Sequence, residues 1–373
     1  MHPYRTILTL GAWACGTSVL PPIARADIDP VSGIDFVTIT HAGNAPWAGN
    51  GTPGDLAVGR GSVGYEYGIG TTEVPLSLWV DFYNAAMDRP AGDSIPHVQS
   101  PFWSAQSAAP NNSSNPAARR WTIPAGAEHR PVGGITWRTA AVLCNWLTAN
   151  KATNREAFLS GAYDVSTFGY GPPGDIFTDQ DAHTPGARYY IPTWDEWLKA
   201  AHWDPNRIEQ DGWWTYSYMS DVQLPGGPPG TGNGNYGFSS PSPFAIPLGA
   251  YPNVQSPWGL LDTAGGTTEW TESTLAGPPG QPRYRFFDGS PWTGSGLRDA
   301  VFPVGADLPS FTTLSNGFRL AMTVPSPVTT AIPAALCLWH GVRRQRQVAR
   351  LLAPALACSD ARAGFRAVKG VSG

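Results

Sequence analysis

The sequence combines many residues that interrupt regular secondary structure with many that build hydrophobic cores. It contains 43 glycines and 37 prolines, which favour turns and loops over long helices and strands. It also contains 16 tryptophans, 13 tyrosines and 14 phenylalanines, far too many for a disordered polymer. We therefore expect a loop-rich α+β protein whose connections are held by buried aromatic side chains. The same composition argues against helical bundles, coiled coils and collagen-like repeats.

The first 26 residues have the pattern of a secretory signal peptide. An uncharged apolar stretch leads to the sequence ARA at 24–26, which matches an A-x-A cleavage site. We predict that residues 1–26 are removed on export and that the mature chain begins near Asp27. A buried first helix is the alternative, and Pro21 and Pro22 disfavour it.

The C-terminal region carries a proline pair, an apolar stretch at 328–342 and a cluster of arginines. Residues 324–347 thereby resemble the PEP-CTERM sorting signal of Gram-negative exopolysaccharide producers, although Ser326 stands where that signal has Glu. The resemblance implies transient membrane contact, cleavage by an exosortase, and a final location on the cell surface or in the extracellular matrix. The basic tail at 348–373 is predicted to be disordered. A frayed amphipathic tail is the alternative.

Charge is distributed unevenly along the chain. The formal net charge is −4, but the first 26 residues contribute +2 and residues 340–373 contribute +6, so the body between them carries −12. An acidic body repels phosphate backbones, so nucleic acid is not an expected partner.

Hydrophobic periodicity predicts three helices, and alternation predicts two strands. In the third helix, Thr193 and Glu196 have the spacing of a capping box. The predicted helices span residues 76–87, 137–149 and 192–201, and the predicted strands span 36–40 and 64–69.

Cys144 is the one cysteine of the body, because the other three lie in the predicted terminal segments. It falls on the apolar face of the second predicted helix, so we expect a buried, unreactive thiol and no internal disulfide. The sequence also lacks an HExxH motif, a nucleophile elbow and a phosphate-binding glycine loop between a strand and a helix. The residues alone predict an exported α+β domain without an identifiable activity.

Six segments, in order, resemble motifs of the formylglycine-generating enzyme (sulfatase-modifying factor) family. They are GSVGYEYGIGTTEV at 61–74, RPVGGITW with CNWL at 130–147, ARYYIPTWDEWLKAA at 187–201, GLLDTAGGTTEW at 259–270, FDGSPW at 287–292 and NGFRLA at 316–321. The resemblance implies that residues 27–323 form one α+β domain with the formylglycine-generating-enzyme fold. That fold is a relative of the C-type lectin domain with little regular secondary structure.

The family's oxidase activity depends on copper(I) held by two cysteines after the GGSW motif. The matching positions here are Gly294 and Asp299, and no cysteine occurs between residues 145 and 336. A related branch uses histidines to bind iron, but the next histidine after His202 is His340, outside the domain. The resemblance therefore implies a member with no catalytic residues at these positions and no copper.

The resemblance also implies a structural calcium ion at residues 262–269. The family's calcium loop supplies a carboxylate or amide side chain, two backbone carbonyls and a glutamate, which match Asp262, Gly265, Thr267 and Glu269. The alternative is that Glu269 caps a turn or pairs with an arginine such as Arg319.

Three functions stay open at this stage. The favoured one is an exported, non-catalytic module that binds a glycan, a protein or a matrix polymer through loops near 280–315. The alternatives are a formylglycine-generating oxidoreductase of altered chemistry and a diversified surface protein that binds a ligand. Metal content and oxidation of a cysteine-containing peptide separate the first two.

Overall fold

The computed structural model describes most of the chain between residues 27 and 324, and these residues belong to one unit that ends at Val324. The predicted signal peptide and basic tail, and all of the predicted sorting segment beyond residue 324, lie outside the described residues. The described ranges are 27–90, 92–99, 109–110, 121–171, 176–230, 233–237, 245–275, 283–292 and 294–324.

Four α-helices occur among the described residues: α1 (Leu76–Met87), α2 (Trp137–Thr148), α3 (Glu156–Leu159) and α4 (Trp194–His202). The three predicted helices are confirmed as α1, α2 and α4, and the single turn of α3 was not predicted. The side chain of Thr136 caps α2 by accepting the amide of Thr139. The predicted capping box at the start of α4 is also present. No helix in these ranges is long and apolar enough to cross a membrane.

The strands are short and form two main sheets. The first sheet has five strands in the order β1-β2-β3-β13-β8, and the second has four in the order β11-β10-β9-β12. The strands are β1 (Asp27–Ile28), β2 (Asp35–Ile39), β3 (Tyr67–Gly70), β4 (Ala109–Pro110), β5 (Trp121–Thr122), β6 (Tyr170–Gly171), β7 (Ile176–Phe177), β8 (Tyr189–Tyr190), β9 (Thr268–Leu275), β10 (Tyr284–Asp288), β11 (Gly305–Asp307), β12 (Asn316–Gly317) and β13 (Ala321–Thr323). The two predicted strands are confirmed as β2 and β3, with ends moved by one to three residues.

Buried aromatic side chains hold the long loops, as the composition predicts. The rings of Trp47 and Trp213 pack edge to face with centroids 6.0 Å apart, and Trp213 Nε1 donates to the carbonyl of Ala45 at 3.0 Å. Gly61 lies against the same indole with φ +81°, and a Cβ there would come within 2.2 Å of the ring. Only glycine suits this position, so the loop and the tryptophan are fixed together.

Cys144 is fully buried in α2 within the largest hydrophobic cluster. Burial raises the pKa of its thiol well above the ordinary value, so the reactive thiolate is disfavoured. The predicted burial of the Cys144 thiol is confirmed, and its lack of reactivity stays a prediction.

Candidate functional site

Gly294 and Asp299, the positions matched to the family's cysteines, lie beside and within a short 3-10 helix, Gly296–Asp299. A Cβ atom on Gly294 would lie 2.9 Å from Pro291 Cδ and 3.0 Å from its carbonyl oxygen, so a side chain there would require Pro291 to shift. Asp299 is 1% exposed, and its Oδ1 accepts the amide of Ser290 at 3.1 Å. One position is therefore a tightly packed glycine, and the other holds a buried carboxyl group.

Two carboxyl groups in this region are buried deeply enough to bind protons near neutral pH. Burial raises the pKa of Asp299 to about 7, against the lowering effect of hydrogen bonds from Ser290. Burial also raises the pKa of Asp288 to about 7, although Trp194 Nε1 donates to its Oδ2 at 2.5 Å. Desolvation disfavours the charged form in both cases.

Glu269, one of the expected calcium ligands, is paired with Arg319 in the core. Its Oε2 accepts from Arg319 Nε at 2.5 Å and from Trp197 Nε1 at 2.8 Å, and its Oε1 accepts from Arg319 Nη2 at 2.6 Å. Such a two-point ion pair is among the stronger side-chain interactions. This is the alternative that the sequence left open for Glu269.

The other expected calcium ligands lie in the same short segment. Asp262 Oδ2 accepts the amide of Gly249 at 2.8 Å, and the Thr267 hydroxyl donates to Glu73 Oε1 at 2.7 Å. Burial and the charges of Glu269 and Asp262 raise the pKa of Glu73.

The fit of these residues to calcium is incomplete. The excess of carboxylates over Arg319 favours a cation, and within the described ranges Glu73 Oε2 is buried without a hydrogen-bond partner. However, both oxygens of Glu269 already accept hydrogen bonds, and no three His, Cys, Asp or Glu side chains of the described residues are arranged to hold a metal. A calcium ion would have to share Glu269 with Arg319, and calcium stays a prediction.

A separate, polar pocket of about 490 Å³ opens at the start of α4. Its wall comes from three parts of the chain that are distant in sequence: the segment before β3, the residues before β8 with the first turn of α4, and the end of β9. The lining residues are 60, 62–65, 181–182, 193, 195 and 272–274. We call this cavity the α4 pocket.

Glu272, which lines the α4 pocket, forms a hydrogen-bonded pair with the partly exposed His183. Glu272 is 2% exposed on its side chain, and both of its oxygens lie 3.1 Å from His183 Nδ1. The Tyr163 hydroxyl donates to Glu272 Oε1 at 2.8 Å, and the His183 ring stacks on Tyr190 with centroids 3.8 Å apart. Burial lowers the pKa of His183, whereas the hydrogen bond and the charge of Glu272 raise it. The raising effects together are larger, so the pKa of His183 is above its ordinary value.

Glu196 lies next to this pair. Besides capping α4 as predicted, it accepts hydrogen bonds from two tyrosines. Its Oε2 accepts the amide and hydroxyl of Thr193, while its Oε1 accepts from Tyr190 at 2.9 Å and from Tyr65 at 3.2 Å. The cap of α4 thereby also fixes Tyr65, which lines the α4 pocket. Sequence reasoning missed His183 and Glu272, and a glutamate within the buried strand TEWTESTL was the one available signal.

Residues 51–324 match the family model described as the sulfatase-modifying factor enzyme 1-like domain. No curated protein sequence matches the chain. Among solved structures, the chain is similar to CarF (18% identity, 79% of this chain and 99% of that chain, TM-score 0.49). It is also similar to Treponema denticola variable protein 1 (19%, 79% and 97%, TM-score 0.44) and to PvdO from Pseudomonas aeruginosa (12%, 80% and 99%, TM-score 0.45).

Proposed function

Because the chain belongs to the sulfatase-modifying factor family and has its α+β fold, we propose that it is a non-catalytic, exported binding module built on that fold. The single observation that carries this proposal is the state of the positions matched to the family's copper-binding cysteines. Neither residue is a thiol: Gly294 packs closely against Pro291, and Asp299 is buried and hydrogen-bonded within the chain. A fold does not by itself imply an activity, so the function has to be inferred from the residues at the site.

Thiol chemistry has no other source in the domain. The sequence has no cysteine between residues 145 and 336, and Cys144 is fully buried. Copper(I) prefers soft thiolate ligands, which this part of the chain does not supply. The alternative, a formylglycine-generating oxidoreductase of altered chemistry, would need a different oxidising centre.

The loops between residues 280 and 315 expose large apolar side chains. Leu297 is 54% exposed, Phe311 is 52% exposed and Leu314 is 44% exposed. Contiguous exposed apolar groups mark surfaces that bind a partner, and loops carried by a rigid core are where such surfaces usually lie. We propose that these loops contact a glycan, a protein or a matrix polymer outside the cell.

Two measurements on the purified protein test this function. Copper content by mass spectrometry and oxidation of a cysteine-containing sulfatase peptide should both be negative, and a stoichiometric copper ion or an oxidised peptide would favour the enzymatic alternative. Biolayer interferometry on immobilised alginate and bacterial cellulose should show binding that the variant Phe311→Ser/Leu314→Ser loses. Ile208→Ser is the matched control, because Ile208 is 92% exposed and lies outside residues 280–315 of the sequence. Equal losses in both variants would refute a role for the loops.

A further inference from the structure

We propose that Asn50 is a self-modification site: its side-chain amide cyclises with the backbone nitrogen of Gly51, and water converts the product to aspartate or isoaspartate. The site lies on the loop between Trp47 and Arg60, outside residues 280–315, so this inference does not depend on the function proposed above. It rests on the accessibility of the reacting groups, on the donors that hold the side-chain carbonyl, and on a comparison with the other Asn-Gly pairs of the chain.

The two reacting groups, the side-chain amide of Asn50 and the backbone nitrogen of Gly51, are accessible. Both residues are exposed, and neither the Asn50 NH2 group nor the Gly51 N–H donates a hydrogen bond to any of the described residues. A Cβ added to Gly51 would meet nothing within 4 Å, and glycine itself has no side chain to screen its nitrogen. The nitrogen can therefore approach the side-chain carbon, and ammonia can leave directly into solvent.

Thr52 holds the carbonyl oxygen of the Asn50 side chain with two donors. Its backbone amide donates to Asn50 Oδ1 at 3.0 Å, and its hydroxyl donates to the same atom at 2.6 Å. The bond to the amide two residues ahead folds the side chain back along the main chain, towards the reacting nitrogen. When that nitrogen attacks Cγ, negative charge develops on Oδ1, where both donors are already in place to stabilise it.

The loop that carries Asn50 is anchored to the core. Trp47 is buried, and its Nε1 donates to Asp55 Oδ2 at 2.9 Å. Asp55 Oδ1 accepts the amide of Ala57 at 2.8 Å, and the Asp55 amide donates to the carbonyl of Thr52 at 3.3 Å. These contacts limit the movement of Thr52, so its two donors are aligned before the reaction and little entropy is lost when the ring closes.

The reaction needs water and no other co-reactant. The Gly51 N–H loses its proton to hydroxide, and the nitrogen attacks Asn50 Cγ, so that a new C–N bond closes a succinimide ring. The bond from Cγ to Nδ2 breaks, and the amide nitrogen takes up a proton and leaves as ammonia. Water then opens the ring at either of its carbonyl carbons, which gives aspartate or isoaspartate. One water is consumed and one ammonia is released, nothing is oxidised or reduced, and the loop gains a negative charge.

The sequence contains two further Asn-Gly pairs, and both lack this arrangement. At Asn233, the amide of Gly234 donates to the carbonyl of Pro225 at 3.0 Å, so the attacking nitrogen is already engaged. Asn316 is fully buried in β12, away from the solvent that supplies hydroxide and water. The three pairs have the same reacting atoms, so the local structure sets the order of their reaction, and Asn50 comes first.

Peptide mapping by mass spectrometry, during incubation of the purified protein at pH 8 in heavy-oxygen water, tests the inference. The peptide with Asn50 should lose ammonia, take up the heavy oxygen and do so at least about tenfold faster than the peptides with Asn233 and Asn316. In urea the three pairs should react at similar rates, and Asn50 more slowly than in the folded protein. Earlier reaction at another pair, no reaction at Asn50, or an Asn50 rate that urea does not lower would overturn the proposal.

Variants of the loop make the test specific. Thr52→Val removes the hydroxyl donor and should slow the reaction about tenfold, the value of one hydrogen bond of about 1.4 kcal/mol in the transition state. Thr153→Val is the matched control, because Thr153 is exposed and its hydroxyl bonds to none of the described residues. Equal rates in these two variants would overturn the role of Thr52.

The products test the route. Cyclisation gives a mixture of aspartate and isoaspartate, which fragmentation of the peptide distinguishes, whereas direct hydrolysis of the Asn50 side chain gives aspartate only. Gly51→Ala places a Cβ beside the attacking nitrogen and should slow the reaction further. A product that is aspartate only, or an undiminished rate in Gly51→Ala, would overturn the cyclisation.

Discussion

Asp299→Asn should stabilise the protein at alkaline pH and do so much less at acid pH. Asp299 is fully buried, and burial raises its pKa from the ordinary 3.8 to about 7 in the folded state. The folded state therefore binds more protons than the unfolded chain between these values, and stability falls as the pH rises through that window. Each pKa unit corresponds to about 1.4 kcal/mol, so ionisation of Asp299 costs the folded state about 4 kcal/mol at pH 8.

Asparagine has nearly the same shape as aspartate and no charge to desolvate. Its NH2 group would take the place of Asp299 Oδ2, which has no hydrogen-bond partner among the described residues, so the NH2 group would also lack one. An unsatisfied buried amide costs about 1–3 kcal/mol, so the net gain at pH 8 should be about 1–3 kcal/mol. This second cost does not depend on pH. The difference in stability between variant and wild type should therefore shrink by about 2–3 kcal/mol between pH 8 and pH 5.

Urea unfolding followed by tryptophan fluorescence at pH 5 and pH 8 measures this difference directly. Asp88→Asn, which removes an exposed carboxylate, is the control for the loss of a negative charge from an acidic domain. A stability difference that is the same at both pH values would refute the reasoning, because the burial of the charged carboxylate is its only pH-dependent part.

Three further predictions address the helix cap, the expected calcium ion and the ends of the chain. Thr193→Ala removes the side chain that caps α4 and should lower the free energy of unfolding by about 1 kcal/mol in urea titrations, and an unchanged midpoint would show that packing alone holds the helix end. Millimolar calcium should raise the melting temperature of the wild type and not that of Glu269→Gln. A wild-type melting temperature that responds neither to calcium nor to a chelator would leave Glu269 as the partner of Arg319 alone. Intact-mass measurement of the protein from its native host should show loss of residues 1–26 and an end near residues 324–327, and two untouched termini would exclude both processing signals.

The local features of the fold could be predicted from the sequence. α1, α2 and α4 lie where the apolar spacing places them, and the caps at Thr136 and Thr193 form as expected. Helix periodicity and capping depend on residues within four positions of one another, so they can be predicted without knowledge of the fold. The burial of Cys144 follows from the same periodicity.

The order of the family motifs determined the fold class, because it depends on the whole set of segments and not on any one of them. It could not decide what each matched residue does. The sequence left two roles open for Glu269, calcium binding and pairing with an arginine such as Arg319. The structure shows the ion pair with Arg319, 50 residues away in sequence, and calcium stays a prediction. Carboxylates suit both roles, so the choice depends on which partner the fold brings near.

Only the tertiary structure decided the α4 pocket and the environment of Gly294 and Asp299, the positions matched to the family's cysteines. His183 and Glu272 are 89 residues apart in sequence and meet because the fold brings β9 against the segment before β8. The closeness of Gly294 to Pro291 and the burial of Asp299 likewise depend on how the loop folds back on the core. Contacts of this kind depend on the closure of long loops. No local sequence pattern predicts which distant side chains a loop brings into contact.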